Sequence, residues 1–552
     1  MSRRLPDGGR HRVRRAPRGT DPPNWVGWVL LAVLTVTVLA TWAPGLTDGL
    51  GDNHEGRILG RHALHVANAQ EHGLAGSGWL ADWSPYGGGP DGDQASYAHH
   101  PPLLNLGYYL TAQLLPVEID VAVRVFAALT GIAALPLGAA VLRRLGFGWW
   151  PTLAATTAVA ITPLFWVYGR LHGNVSLLLA MLLLVVRLRE DRPIGRGELV
   201  LGAGLSFAAV VGGYLGLAAA ALLGLWLLTS RGLDRVTWVV GSAMALGAAV
   251  TAAFVVGGTG AAGVADQVQL RTGGGGFTAG EFVERLARWF RELLPGWWRW
   301  VLAPAAIVAG IADRRSRTPL LLLGLVAVGY IVGLPNGSFV HDYWVFPVLL
   351  PVWLGTAALV EAAGELAPRW RGAVAAGALA VVATIGVVGV PGAETDTGQA
   401  SAAGLARSSV AEAYLDGPRQ AGTLVRDIGP ADGQQRAWRT AGIPTPRWHA
   451  FYWQLAPLVL TDADDLARVG DDERVLVKLD RLGGWLADVG GDEGGGAEGG
   501  GEGGGDDGDG DGDDDRDGGG ELSDAEVAAV AEAQRGNYAV LTGAQLRALA
   551  AS

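Results

Sequence analysis

A short polar segment, Asp52-Asn53-His54-Glu55-Gly56-Arg57, contains the residue types that acid–base chemistry needs. A carboxylate can take the proton from an attacking hydroxyl group, and such general-base assistance is worth about 10² to 10⁴ in rate. Asp52 and Glu55 are three positions apart, so a helical segment would bring them to a common side. Arg57 would keep a neighbouring carboxylate ionised. The segment predicts a catalytic site in which either Asp52 or Glu55 is the base.

Other polar residues stand between long apolar runs, where a charge needs a partner or water. Arg170 lies in the turn Tyr168–Asn174, and His341, Asp342 and Tyr343 form a second such group. Charged donors of this kind bind phosphate well, because charge-assisted hydrogen bonds are about twice as strong as neutral ones. We predict that Arg170 and His341 contribute to a phosphate site, although Arg170 could also be a topological exception without a ligand.

The elements that must position these residues are membrane spans. The chain is 50% hydrophobic and only 17% charged, with 21 Trp, whereas an ordinary soluble domain carries about 25% charged residues. A plain soluble enzyme is therefore excluded. Runs long enough to cross a ~30 Å hydrocarbon core predict eleven spans, at about 25–44, 121–142, 149–168, 174–188, 198–212, 214–230, 236–257, 297–312, 318–335, 343–360 and 373–391.

Arginines predict the orientation of these spans, because short cytoplasmic loops retain Arg and Lys. Seven arginines precede the first span, and every second loop after it carries at least two more. This pattern predicts a cytoplasmic N-terminus at 1–24, a membrane domain at 25–392, outer loops at 45–120 and 258–296, and an extracytoplasmic C-terminus. Several spans lack charged residues altogether, which favours chemistry at the outer face over transport through the bundle.

The remaining composition limits the other kinds of site. The chain has no Cys, which excludes disulfides, thiol nucleophiles and Cys-ligated metals. The glycine run at 273–276 lacks the Lys-Ser/Thr ending of a phosphate-binding loop and favours a flexible loop. Nothing in the sequence indicates a nucleic-acid partner, a cofactor or a metal centre, and a dependence on divalent metal stays open.

The tail, 393–552, predicts a small α/β domain. Strands are expected at Glu473–Asp480 and Tyr538–Leu541, a strand end at Val459, a helix from Ser523 to about Gln534, and a short helix from Gln545. Between them, 492–520 is almost wholly Gly, Asp and Glu and cannot bury enough apolar area to order itself. We interpret it as a solvated, disordered insertion, with a calcium site at 509–517 as the alternative.

The order of the motifs resembles the C-type glycosyltransferase superfamily, in its branch of protein O-mannosyltransferases and aminoarabinose transferases. An acidic motif follows the first span, His99-His100-Pro101-Pro102-Leu103 follows later in the same loop, and Arg124 enters the second span. His341-Asp342-Tyr343-Trp344 resembles the aromatic entry into a late span of that family. The resemblance covers residues 25–190 well and fades toward the later spans.

The chain departs from the family pattern in two places. The family usually has an Asp-Glu pair, whereas this chain has His54-Glu55, with Asp52 two positions before His54. The family also often has a second Asp in the outer turn between spans three and four, where this chain has Asn174, which cannot act as a base. The catalytic acid and the class of acceptor therefore stay open.

The resemblance implies a fold of about eleven transmembrane helices, with a small C-terminal extracytoplasmic α/β domain. It implies transfer of a sugar from a polyprenyl-phosphate donor to an acceptor at the outer face of the plasma membrane. Glu55 or Asp52 would be catalytic, and donor or substrate binding would fall to a set drawn from the loops, namely Arg57, His100, Arg124, Arg170, His341, Asp342 and Tyr343. The alternatives are a non-enzymatic transporter or flippase for lipid-linked saccharides, and a scaffold for cell-envelope assembly. His100 could instead precede a rigid turn, and Arg124 could extend to the membrane interface.

Overall fold

The computed structural model describes most of the first 366 residues and separate parts of the tail. The described residues are 21–43, 46, 54–79, 102–171, 173–190, 192–272, 277–366, 425–428, 435–441, 456–459, 466–467, 469–471, 474–478, 533–535 and 538–550. Asp52, His100 and the segment 492–520 lie outside them, as does the predicted span 373–391. The side chains of Glu55 and Arg57 are likewise not described.

Among the described residues up to 366, all regular elements are helical, and they are numbered along the chain. They are α1 Asn24–Trp42, α2 His54–Gly76, α3 Pro102–Leu114, α4 Ile119–Ile132, α5 Ala134–Arg144, α6 Trp149–Ala160, α7 Pro163–Tyr168, α8 Gly173–Leu188, α9 Arg196–Val211, α10 Tyr214–Arg231, α11 Arg235–Thr272, α12 Ala279–Leu293, α13 Ala303–Ala312, α14 Arg317–Gly333, α15 Pro335–Val340 and α16 Leu349–Leu366. Two 3₁₀ segments, Gly169–Leu171 and Asp342–Val348, and a π turn at Trp298–Leu302 complete this part.

Five stretches of helix are long and apolar enough to cross a membrane, namely Asn24–Trp42, Ile119–Arg144, Tyr214–Arg231, Arg235–Gly257 and Asp342–Leu366. The polytopic, all-α membrane architecture is therefore confirmed. Three shorter apolar helices lie at Gly173–Leu188, Trp298–Ala312 and Arg317–Gly333. The count of eleven spans stays a prediction.

A further apolar helix pair, Trp149–Ala160 with Pro163–Leu171, contains a sharp bend. Helices α6 and α7 meet at 74°, and the break falls at Thr162-Pro163. Pro163 has no N–H to donate to the helix before it, and the Thr162 hydroxyl instead accepts a hydrogen bond from the Phe165 N–H at 3.1 Å. The bend directs α7 and the following 3₁₀ segment across the bundle, so that the outer turn predicted at 168–174 does not continue the axis of α6.

The predicted cytoplasmic loops meet at one end of the bundle through arginine ion pairs. Arg187 pairs with Glu190 at 2.6 Å and with Glu198 at 2.8 Å. Arg315 pairs with Glu361 at 3.1 Å, and Arg231 pairs with Asp234 at 2.6 Å. Helix α1 begins at the same end, where Arg143 donates to the Asn24 side chain at 3.3 Å. This arginine-rich end lies opposite the end at which α4 begins.

The orientation of the two ends gives a testable prediction. Protease added to right-side-out spheroplasts is expected to cleave beyond about residue 394 and to spare the loop 187–196, because loops rich in arginine stay in the cytoplasm. Immunoblotting with tags at the C-terminus and in that loop measures both. Cleavage in 187–196 with a protected tail would show the opposite orientation.

Helices α2 and α3, from the first predicted outer loop, cover the outer part of α4. The apolar side of α2, with Leu59, Ala63 and Leu64, packs against Tyr108 of α3 and Val123 of α4. Helix α2 is kinked at Gly73, whose φ of 73° lies in the left-handed region that glycine adopts without strain. The loop predicted at 45–120 is thus largely helical where it is described.

Helix α11 differs from its predicted extent. The apolar span ends at Gly257 as predicted, but the helix continues to Thr272 into the predicted outer loop. Hydropathy marks where the apolar residues stop, whereas backbone hydrogen bonds continue through the polar residues that follow. In the same loop, α12 begins at a capping box in which Thr278 and Glu281 bond to each other's backbone.

The tail contains a mixed six-stranded sheet. Its strands are β1 Val425–Ile428, β2 Gln435–Ala441, β3 Ala456–Val459, β4 Arg474–Lys478, β5 Ala533–Arg535 and β6 Tyr538–Thr542, followed by α17 Gly543–Ala550. Strand β2 pairs antiparallel with β1 and parallel with both β3 and β4. Strand β4 pairs antiparallel with β6, from the other side of 492–520. The helix predicted up to Gln534 was wrong at its end, because Ala533–Arg535 pair with β6.

Candidate functional site

The floor of the candidate site is the 3₁₀ segment Gly169–Leu171, which lies deep in the bundle. Gly131 of α4 contacts it so closely that a Cβ atom at Gly131 would lie 2.2 Å from the Gly169 carbonyl oxygen. Gly131 is twelve residues after Ile119, which corresponds to about 18 Å along the helix. The segment is therefore recessed from the end at which α4 begins.

The wall of the recess comes from the late helices. Tyr168, at the end of α7, donates a hydrogen bond to Oδ2 of Asp342 at 2.5 Å. The rings of Tyr168 and Tyr343 lie 5.9 Å apart, and the ring of His341 stacks on Tyr343 at 5.2 Å. Tyr168 and His341 are both 5% exposed. The hydrogen bond joins two residues that are 174 positions apart in the chain. It holds the Asp342 carboxylate beside the ring of Tyr168.

Arginines lie on the other side of the same floor. Arg170 places its guanidinium 5.9 Å from the ring centre of Trp42, at the end of α1. Arg124 lies on the buried side of α4, together with Ala127, Ala128 and Gly131. Since Gly131 contacts the backbone of Arg170, Arg124 lies two helical turns above that contact, on the same side of α4. The Gly169–Leu171 segment is thus bordered by two arginines and, through Tyr168, by the Asp342 carboxylate.

Helix α2 also carries a band of buried polar side chains. Arg61 is 6% exposed, His65 and Asn68 are each 1% exposed, and Asn105 of α3 is 3% exposed. The ring of His62 stacks on Tyr108 at 4.4 Å. Burial, reinforced by the neighbouring charge of Arg61, lowers the pKa of His62 to about 3, although a hydrogen bond with Asn105 opposes the shift. His62 is therefore neutral in the folded protein near pH 7.

Comparison with solved structures identifies proteins of similar architecture. Apo ArnT, the aminoarabinose transferase of Cupriavidus metallidurans, aligns with 95% of this chain and 99% of its own, with a TM-score of 0.53 and 15% sequence identity. The chain has the C-type glycosyltransferase fold.

Two further structures align less well. ArnT from the same organism bound to undecaprenyl phosphate gives a TM-score of 0.48 at 15% identity, over 94% of this chain and 99% of its own. The Archaeoglobus fulgidus oligosaccharyltransferase gives 0.48 at 12% identity, over 85% of this chain and 71% of its own. No family model matches the sequence. No curated protein matches it either.

Within the C-type glycosyltransferase fold, the structure brings some predicted residues together. Asp342, Tyr343 and His341 are linked by contacts to Tyr168, which is two residues before Arg170, and Arg124 lies two helical turns from the Gly131 contact on α4. Glu55 and Arg57 lie at the start of α2, whose later turns pack on α3 and α4. The positions of Asp52 and His100 lie outside the described residues, so their predicted roles stay predictions.

Sequence reasoning missed several residues of the site. Tyr168 was not singled out, because its partner Asp342 belongs to a distant helix. Arg61, His65 and Asn68 were also missed, although their i, i+4, i+7 spacing places them along one side of a helix and could have indicated a buried polar band. Among the described residues, no group of three or more His, Cys, Asp or Glu could hold a metal ion.

The buried His62 gives a prediction of pH dependence. Its folded pKa of about 3 lies below the ordinary value of 6.5, so between these values the unfolded chain binds the extra proton. Stability is therefore expected to fall as the pH drops from 6.5 toward 3, by at most about 1.4 kcal/mol per pH unit for this one group. Thermal unfolding in detergent measures this dependence of stability on pH. The His62→Gln substitution is expected to flatten the slope of stability against pH between pH 6.5 and 4.

The matched control is His72→Gln, because His72 lies exposed on the same helix. It should leave the slope unchanged. Equal slopes in wild type and His62→Gln would contradict the assignment of a buried neutral imidazole.

Proposed function

We propose that this chain is a membrane glycosyltransferase that moves a sugar from a polyprenyl-phosphate donor to an acceptor at the extracytoplasmic face. The observation that carries the proposal is the arrangement at the Gly169–Leu171 segment, where the Tyr168 phenol bonds to the Asp342 carboxylate and the Arg170 guanidinium lies over Trp42. The fold shared with ArnT supports the same class of reaction.

The reaction needs an acceptor hydroxyl, a general base and cations that stabilise the leaving phosphate. An acceptor hydroxyl oxygen attacks the anomeric carbon, the bond from that carbon to the phosphate oxygen breaks, and the lipid phosphate leaves with the bonding electron pair. The acceptor proton passes to Glu55 or Asp52, which acts as general base. Arginine side chains stabilise the charge on the leaving phosphate.

The two arginines that border the Gly169–Leu171 segment suit that phosphate. Arg124 is 7% exposed, so a phosphate near it would be removed from water. Charge-assisted hydrogen bonds are stronger in such an environment than in water. Arg57 at the start of α2, His100 before α3, and His341 are the further proposed ligands. A lipid donor reaches such a site sideways from the bilayer. ArnT has been crystallised with undecaprenyl phosphate, which is why that lipid is the first donor carrier to test.

The test is a transfer assay with the purified full chain in lipid nanodiscs. The chain is incubated with synthetic undecaprenyl-phosphate hexoses and pentoses and with candidate peptide, lipid and glycan acceptors. We expect equal amounts of free undecaprenyl phosphate and glycosylated acceptor, measured by mass spectrometry. Movement of the intact sugar lipid across proteoliposome membranes without a new glycosidic bond would contradict the enzyme and favour the transporter.

A further inference from the structure

Gly169, in the 3₁₀ segment Gly169–Leu171, lies between two residues whose side chains have different partners. Tyr168 and Arg170 flank Gly169, and the Tyr168 phenol reaches Asp342 while the Arg170 guanidinium lies over Trp42. The segment itself has little freedom to move, because a Cβ atom at Gly131 would lie within 2.9 Å of the Arg170 Cα atom as well as against Gly169. The carboxylate is thus held by the residue before Gly169, and the guanidinium belongs to the residue after it.

Asp342 is a poor ligand for a phosphate. Two like charges 4 Å apart repel by about 1 kcal/mol in water and about 4 kcal/mol near a protein surface. Sugar hydroxyls carry no charge and donate hydrogen bonds, which an ionised carboxylate accepts. The chemistry of Asp342 therefore favours a polyhydroxylated group over the lipid phosphate.

The surroundings of Asp342 fit the same ligand. Tyr343 follows Asp342 in the chain, and its ring lies 5.9 Å from the ring of Tyr168, which bonds to the carboxylate. A pyranose has apolar C–H faces as well as hydroxyl groups, and an aromatic ring can bury such a face. A carboxylate next to aromatic rings is a combination that recognises both surfaces of a sugar.

We propose that Asp342, with the ring of Tyr343, forms the subsite for the transferred sugar, and that Tyr168 is the positioning residue that fixes the Asp342 carboxylate. The donor then lies across the Gly169 turn, with its phosphate toward Arg170 and its sugar toward Asp342. This inference rests on the proposed function and deepens it by giving the donor a direction in the recess.

The experiment compares two ligands that differ only in the sugar. Full-length protein in nanodiscs is titrated with undecaprenyl phosphate and with the undecaprenyl-phosphate hexose or pentose that binds wild type. Tyr168→Phe removes one oxygen atom and is expected to weaken the sugar lipid about tenfold, while the affinity for undecaprenyl phosphate changes less than twofold. Asp342→Asn should show the same selectivity with a larger loss.

Arg170→Ala should lower the affinity for both ligands alike, because both carry the phosphate. This result would distinguish the role of Arg170 from that of Asp342. Tyr330→Phe is the matched control, because the Tyr330 ring stacks on Trp344 at 4.6 Å, away from the Asp342 carboxylate contact, and it should change neither affinity. Equal loss of both ligands in Tyr168→Phe and Asp342→Asn, or no loss in either, would overturn the subsite. A wild type that shows the binding difference but transfers no sugar would overturn the proposed function and leave the subsite standing.

Discussion

Glu55→Gln is expected to lower kcat at least about 10²-fold with little change in thermal stability, because the substitution keeps the shape of the side chain and removes the general base. Glu55 lies in the first turn of α2, so the amide should fit the same helix. Initial rates of sugar transfer and unfolding temperatures, measured on the same preparation, test both parts.

The companion variant Asp52→Asn decides between the two carboxylates. An active Glu55→Gln protein together with an inactive Asp52→Asn protein would assign the base to Asp52. Full activity in both variants would show that this segment does not supply the base, and the acid–base role of the first outer loop would be withdrawn.

Arg170→Ala is expected to raise the apparent donor KM, or to lower kcat/KM for the donor, by about ten- to a hundredfold. The loss of a hydrogen bond to a charged group costs about 1.5–3 kcal/mol, and each 1.4 kcal/mol corresponds to a factor of ten. His341→Ala should act in the same direction. Steady-state kinetics with varied donor and fixed acceptor measures the effect.

Arg291→Ala is the control for this prediction, because Arg291 is an exposed arginine on α12. It removes the same charge and should leave the donor KM unchanged. An unchanged donor dependence in Arg170→Ala and His341→Ala would remove both residues from the phosphate site.

The parts of the fold that local patterns determine could be predicted from the sequence. Apolar runs and arginine-rich loops predicted the polytopic helical architecture, and the alternation in Glu473–Asp480 predicted β4. These features depend on residues close together in the chain, where hydropathy and the period of the pattern are sufficient. Strand β5 was missed, and the helix predicted up to Gln534 was wrong at its end, because the pairing of Ala533–Arg535 with β6 outweighs the local preference for helix.

The arrangement of the site could be predicted only in part. Arg170 and Asp342 were singled out because charges beside apolar spans need a partner or water. The positions of Arg170 and Asp342 near the Gly169 turn depend on the 74° break after α6 and on the contact between Gly131 and Gly169. Both are results of tertiary packing, and neither has a local signal that indicates which distant helix supplies the partner of Tyr168.

The most direct test of the account is a cryo-electron microscopy map of the full chain in nanodiscs with an undecaprenyl-phosphate sugar and the Glu55→Gln substitution, which should keep the donor intact. We predict density for the phosphate near Arg170 and Arg124, and density for the sugar next to Asp342 and Tyr343. Lipid density that stays on the outer surface of the bundle, with an empty recess at saturating donor, would contradict it.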